Sequence, residues 1–121
     1  MSWSVEFYQK ENGEIPVLEF MLSLDAKMRA KVQQTIDLLE NTGTGLREPY
    51  VAPLKGDKYK GIWELRVKFA SNITRVFYFS FQGDTFVLLN GFKKKTMKTP
   101  VSELDRALRY KHDYERRTQN E

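Results

Sequence analysis

The 121-residue sequence has no cysteine and a single histidine, His112. Without thiols there is no disulfide, no thiolate metal site and no cysteine nucleophile. One histidine rules out a two-histidine ribonuclease mechanism and a histidine-rich metal site, leaving His112 as at most a lone general acid or base. No GxSxG elbow and no GxxxxGK[ST] phosphate loop occurs. No window approaches the roughly 18 consecutive apolar residues of a membrane helix, so no membrane association is expected. Met1 to Glu6 alternate rather than form an apolar run, unlike a signal peptide. Repeats, low-complexity tracts and Pro/Gly/Ser linkers are also missing. These absences predict one domain over residues 1–121 in the cytoplasm.

Charge is present, and it is unevenly spread. Residues 1–53 carry five Lys/Arg against eight Asp/Glu, whereas residues 54–98 carry ten Lys/Arg against three acids, Asp57, Glu64 and Asp84. The remaining residues balance to zero. A contiguous block with a net charge of +7 is the footprint of a polyanionic partner.

Hydrophobic patterning supplies the scaffold. Trp3, Val5 and Phe7 alternate with polar neighbours as a first strand, and Asn12-Gly13 marks a turn. Pro16 opens a short apolar helix, and Asp25 is placed to cap a second that carries Met28, Val32, Ile36 and Leu39 before Gly43 and Gly45. A strand meander follows. Trp63, Leu65, Val67 and Phe69 take one face of its first strand, with Glu64, Arg66 and Lys68 on the other. Residues 73–81 are apolar on both faces, which predicts a central strand and either puts Arg75 near an edge, a cleft or an anion or has it snorkel to solvent along its own stem. Gln82-Gly83-Asp84 signals a hairpin into residues 85–92. Thr99-Pro100 then starts a last helix with Val101, Leu104, Leu108 and Tyr110 as its stripe. The expectation is an α+β fold, with an antiparallel sheet, an N-terminal helical hairpin, a C-terminal helix, and the helices on one face.

Within this scaffold the available chemistry is cationic. Carboxylates are too sparse in the basic block for two-metal nuclease chemistry, so neither a metal nor a cofactor is expected. RNA carries its own nucleophile, the 2′-OH. A protein that cleaves it must orient the backbone, stabilise charge on the phosphate oxygens and move two protons. Arginine forks match phosphate oxygens, and lysine or tyrosine can assist proton transfer. Arg66, Arg75, Lys93, Lys94, Lys95, Tyr59 and Tyr78 provide these groups. The run from Lys93 through Lys95, with Lys98, lies between a strand and a helix and is the sharpest local feature.

Three blocks carry a family resemblance: Gly61 to Arg66 (GIWELR), Thr74 to Phe79 (TRVFYF) and Val87 to Thr96 (VLLNGFKKKT), followed by Lys98-Thr99-Pro100. In order and spacing they resemble the phage-derived HigB-like branch of the RelE/ParE toxin superfamily. That resemblance implies a curved sheet backed by helices (RelE-like), and a toxin of a type II toxin–antitoxin system that cleaves mRNA on the ribosome without metal. It implies Arg75 at the scissile phosphate, Lys94 and Lys93 stabilising developing charge, and Arg66 beside them as a catalytic or structural group. Lys55, Lys58, Tyr59, Lys60, Lys95 and Lys98 would contact RNA. Tyr110, His112 and Tyr114 are the candidates for acid or base, and Glu64 stands where some relatives have a catalytic lysine. The implied partners are mRNA, the ribosome and a helix-turn-helix antitoxin of HigA type. Two alternatives share the scaffold: a ParE-like inhibitor of DNA gyrase, and a non-catalytic RNA- or protein-binding module of phage origin.

Overall fold

A computed structural model of the chain describes residues 2–119. The elements are β1 (Ser4–Phe7), α1 (Pro16–Leu22), α2 (Ala26–Thr42), β2 (Val51–Pro53), β3 (Ile62–Phe69), β4 (Asn72–Phe81), β5 (Thr85–Lys93) and α3 (Val101–Gln119). Pro16 occupies the first turn of α1, where its missing N–H has no partner to lose. The Asp25 carboxylate accepts the Met28 amide at 2.9 Å and caps α2. Gly43 ends that helix at φ 65°, and the Trp3 ring fills the space a Cβ would need.

The five strands run in the order β1-β5-β4-β3-β2. Strands β2 to β5 form the antiparallel meander, but β1 pairs parallel to β5, with Val5 opposite Phe86. The sheet is therefore mixed rather than wholly antiparallel as expected. Turn signals specify hairpins only, and β1 reaches its neighbour through two helices and three intervening strands, a route its own alternation does not encode.

The helices also divide between the two faces, correcting the one-face expectation. Val17, Met21, Met28, Val32, Ile36 and Leu39 of α1 and α2 pack with Leu65, Val67, Val76, Tyr78 and Leu88. On the opposite face, Leu104, Ala107 and Leu108 of α3 cover Ile62, Phe77, Phe79, Val87 and Leu89. This explains the doubly apolar β4: Val76 and Phe77 point opposite ways and both are fully buried. Only the middle of the β3 stripe is covered, since Leu65 and Val67 are buried while Trp63 and Phe69 are about two-fifths exposed. Val101, expected in the α3 stripe, is likewise exposed.

A bulge lies in the β4–β5 ladder: Phe77 faces Asn90, yet Tyr78 faces Leu88. Leu89 is the extra residue, and it rephases the rest of β5. Phe92 consequently packs edge-on against Phe77 at 5.2 Å, and Gly91 falls beneath the Phe20 ring. A Cβ at Gly91 would overlap that ring. Gly91→Ala should cost about 1–3 kcal/mol in urea unfolding, and Phe20→Leu in the same chain should recover part of the loss.

The C-terminal half of α3 is fastened to the first strand. Tyr8 stacks on Tyr110 at 4.7 Å and donates to Asp113 at 2.6 Å. Arg116 and Arg117 pair with the same carboxylate. Burial first, then the Asp113 hydrogen bond, push the Tyr8 phenol up to about 12, and that bond in turn holds Asp113 below its ordinary value. A phenol whose pKa is raised on folding contributes stability that is complete below its unfolded value near 10 and is lost as pH climbs through the folded one. Between pH 10 and about 12 the native chain should therefore lose about 2 kcal/mol more stability than Tyr8→Phe, read from paired urea titrations.

Candidate functional site

Strand register arranges one face of the sheet in successive rows. Ile62 opposes Phe79, Glu64 opposes Phe77, Arg66 opposes Arg75, and Lys68 opposes Ile73. The next strand extends two of these rows, with Asn90 beside Phe77 and Phe92 beside Arg75. Past the end of β5 the Lys94 amide donates to Ile73 O at 2.8 Å, which places Lys94 in the Lys68 row. Rows two residues apart are about 7 Å from one another. The face thus passes from apolar core to cationic margin within two rows. Helix α3 covers the apolar rows, and its first turn meets the sheet where the Asn90 amide donates to the Glu103 carbonyl and carboxylate.

Glu64 organises the margin. Its side chain is 8% exposed, and Oε2 lies 2.7 Å from Arg66 Nε and 3.5 Å from Arg75 Nε. Arg75 is only 12% exposed, while Arg66 is 36% exposed. Burial lowers the Arg75 pKa, the Glu64 charge opposes that shift, and Arg66 adds to it. A guanidinium remains charged through such a shift. One Arg75 N–H donates to the Thr74 carbonyl at 3.3 Å, whereas its buried Nε has no hydrogen-bond acceptor. Three ionised groups thus leave one net positive charge, with guanidinium donors left over for an incoming anion.

These arginines line a cleft of about 610 Å³, completed by Lys31, Gln34, Thr35 and Leu38 from α2, by Pro49 and Tyr50 ahead of β2, and by Lys68 and Ile73. Arg75 therefore lies where its strand parity suggested, beside both a cleft and an anion.

The other residues singled out from sequence are distributed more widely. Lys93 is exposed at the end of β5 opposite Thr74, and Lys95 and Lys98 are exposed in the following loop. Lys58 and Tyr59 both engage Asp105 of α3, at 3.1 and 2.7 Å, so this loop is tied to the helix. The Tyr59 hydrogen bond, with that of Lys58, holds Asp105 below the usual carboxylate range. Lys55 and Lys60 are exposed on the same loop. It joins β3 at Ile62, six residues and about 20 Å from the Lys68 end, so the structure does not gather these four with Arg75.

Nor does it gather the C-terminal candidates. Tyr110 stacks on Tyr8, and Tyr114 meets Phe79 and Phe81 edge-on and donates to Glu6. His112 is exposed. From Glu103 to Tyr114 the helix advances about 16 Å, away from the cationic rows. Tyr78, named for its phenol, is buried in the opposite core, and burial pushes its pKa far up.

Three contributors escaped sequence reasoning: Glu64 as the pivot, and Tyr50 and Gln34 as cleft walls. The signal for Glu64 was a lone acid within a basic strand, two residues from an arginine. Nothing in the spacing linked Tyr50 or Gln34 to Arg75. Among the described residues there is no cluster of three or more side chains able to hold a metal ion, and no helix long and apolar enough to cross a membrane.

The family model for phage derived protein Gp49-like matches residues 19–112. The chain belongs to this Gp49-like family. The family lies in the RelE toxin-like group, and the α+β architecture with its curved mixed sheet agrees with a RelE-like fold. The Gp49-like span covers every residue of the cleft and leaves out β1 and the end of α3. No curated protein matches the chain.

Removing the shared carboxylate strands two guanidiniums, one of them buried, whereas removing Arg66 leaves Glu64 still beside Arg75. Glu64→Ala should therefore destabilise the fold by about 2–4 kcal/mol and Arg66→Ala, which leaves the carboxylate an ion pair but no hydrogen bond, by about 1–3 kcal/mol, compared by urea unfolding.

Proposed function

We propose that this Gp49-like chain is the toxin of a type II toxin–antitoxin pair, of HigB-like type, and cleaves mRNA on the ribosome. The observation that carries the reading is the Arg66–Glu64–Arg75 cluster lining a cleft at the cationic end of a RelE-like sheet. In this reading the RNA backbone enters the cleft with a phosphate on Arg75 and Arg66. The adjacent 2′-OH attacks phosphorus as the P–O5′ bond breaks, leaving a 2′,3′-cyclic phosphate and a free 5′-OH. Solvent water takes the proton that leaves the 2′-OH and supplies the one that reaches the departing O5′. The guanidinium forks hold the non-bridging oxygens while charge builds on them, and Lys94, in the next row, adds a further positive charge. Because Glu64 holds both arginines before substrate arrives, little reorganisation accompanies the reaction.

The cytoplasm, where ribosomes translate, is the corresponding place of action. A helix-turn-helix antitoxin of HigA type would restrain the activity. The lysines of the 55–60 loop, remote from the cleft, suit contact with ribosomal RNA better than with the scissile phosphate.

Expression of the chain alone should arrest growth, with primer extension revealing new mRNA 5′ ends inside translated codons. Arg75→Ala should fold and reduce cleavage about 100-fold or more, as loss of a charge-stabilising donor does. Equal cleavage of untranslated transcripts would indicate a free ribonuclease. Double-strand DNA breaks without new RNA ends would transfer the chain to the gyrase-inhibitor reading.

A further inference from the structure

We infer that Tyr50 is a stacking platform for an unpaired nucleobase, so that the cleft accepts a single-stranded nucleotide with its base on Tyr50 and its phosphate on Arg66 and Arg75. This rests on the reading of the cleft as an RNA site and specifies what occupies it.

Tyr50 is 46% exposed and lines the same cleft as both arginines. Its backbone is fixed on both sides, the amide donating to Arg47 O at 3.0 Å and the carbonyl accepting from Arg66 N at 2.7 Å. The second bond ties the Tyr50 backbone to that of Arg66, whose guanidinium is bound by Glu64. Among the described residues the ring packs on no other aromatic and the hydroxyl makes no hydrogen bond, so neither is committed within the fold. The five other tyrosines differ, since each packs on an aromatic ring or a lysine within the fold.

The opposite wall complements this platform. Gln34 of α2 is exposed in the cleft, and its side-chain amide has no hydrogen-bond partner among the described residues. It offers a donor and an acceptor to a base edge. The neighbouring Thr35 hydroxyl is already spent on Lys31 O at 2.8 Å. At about 610 Å³ the cleft falls within the ~300–1,000 Å³ range of small-ligand sites. An aromatic surface beside phosphate-binding cations is the arrangement that holds single strands, whose bases are free to stack, and it excludes duplex, whose bases are not.

The test uses the full chain and a short fluorescent single-stranded RNA, made uncleavable by 2′-deoxy substitution, read by fluorescence anisotropy at low salt. A second oligomer keeps the sugar–phosphate backbone but is abasic at its centre. Wild type should bind the intact oligomer about 5- to 100-fold more tightly than the abasic one. Tyr50→Phe should behave as wild type, while Tyr50→Ala should bind both oligomers equally and weakly. A wild-type chain indifferent to the missing bases, or a Tyr50→Ala variant that still discriminates, overturns the stacking site. Loss of binding in Arg75→Ala with Tyr50→Ala unchanged defeats the platform alone and leaves the RNA reading standing. Binding of an acidic peptide but of neither oligomer defeats both.

Discussion

One buried carboxylate makes this surface possible. Arg66 and Arg75 sit directly opposite each other on adjacent strands, an arrangement that repels when nothing intervenes. The Glu64 carboxylate reaches both from the preceding row. It converts a like-charge clash into a preset pair of guanidiniums, and its own burial is offset by them. The rows below are core and the row above is lysine-bearing. Glu64 therefore stands at the boundary between the apolar rows and the cationic margin.

The rest of the fold holds that boundary in place. Strand β4 is buried on both sides, which gives Arg75 a rigid backbone and an outlet at the cleft. The Leu89 bulge brings Phe92 under Arg75's row and turns Gly91 toward Phe20, so α1 can approach the sheet closely without displacing β5. Helix α3 covers the apolar rows and is pinned at its far end by the Tyr8–Asp113 contact and the packing of Tyr114. Those aromatic contacts are structural, and they account for residues that look chemically suited to proton transfer yet lie far from the arginines.

Much of this was legible because local signals agree with their global consequences. The Asp25 cap, the Pro16 start, the Gln82–Asp84 hairpin and the doubly apolar β4 each follow from short-range chemistry. The parallel β1–β5 pairing and the sharing of helices between two faces do not, since both depend on where a long connection returns. The site divides in the same way. Arg66 and Arg75 were legible from charge and strand parity, whereas Glu64 stood out only as the residue where some relatives have a lysine, until the register placed it in the row before them. Tyr50 and Gln34 were invisible because three separate segments converge on the cleft. Lysine-rich composition, conversely, carries no position: the 55–60 loop is basic too, but it joins the other end of β3.

Membership of the Gp49-like family, with its RelE-like architecture, sets the context in which the cleft is read as an RNA site. Phosphate binding by the Glu64-held arginines is reported most directly by their own Nε–Hε resonances. Titration of the ¹⁵N-labelled chain with an uncleavable single-stranded RNA should shift the Arg66 and Arg75 Nε–Hε signals together, with a common saturation curve, and Glu64→Gln should weaken that response. Saturation of the RNA with both signals unmoved, and shifts confined to lysines of the 55–60 loop, would contradict the account.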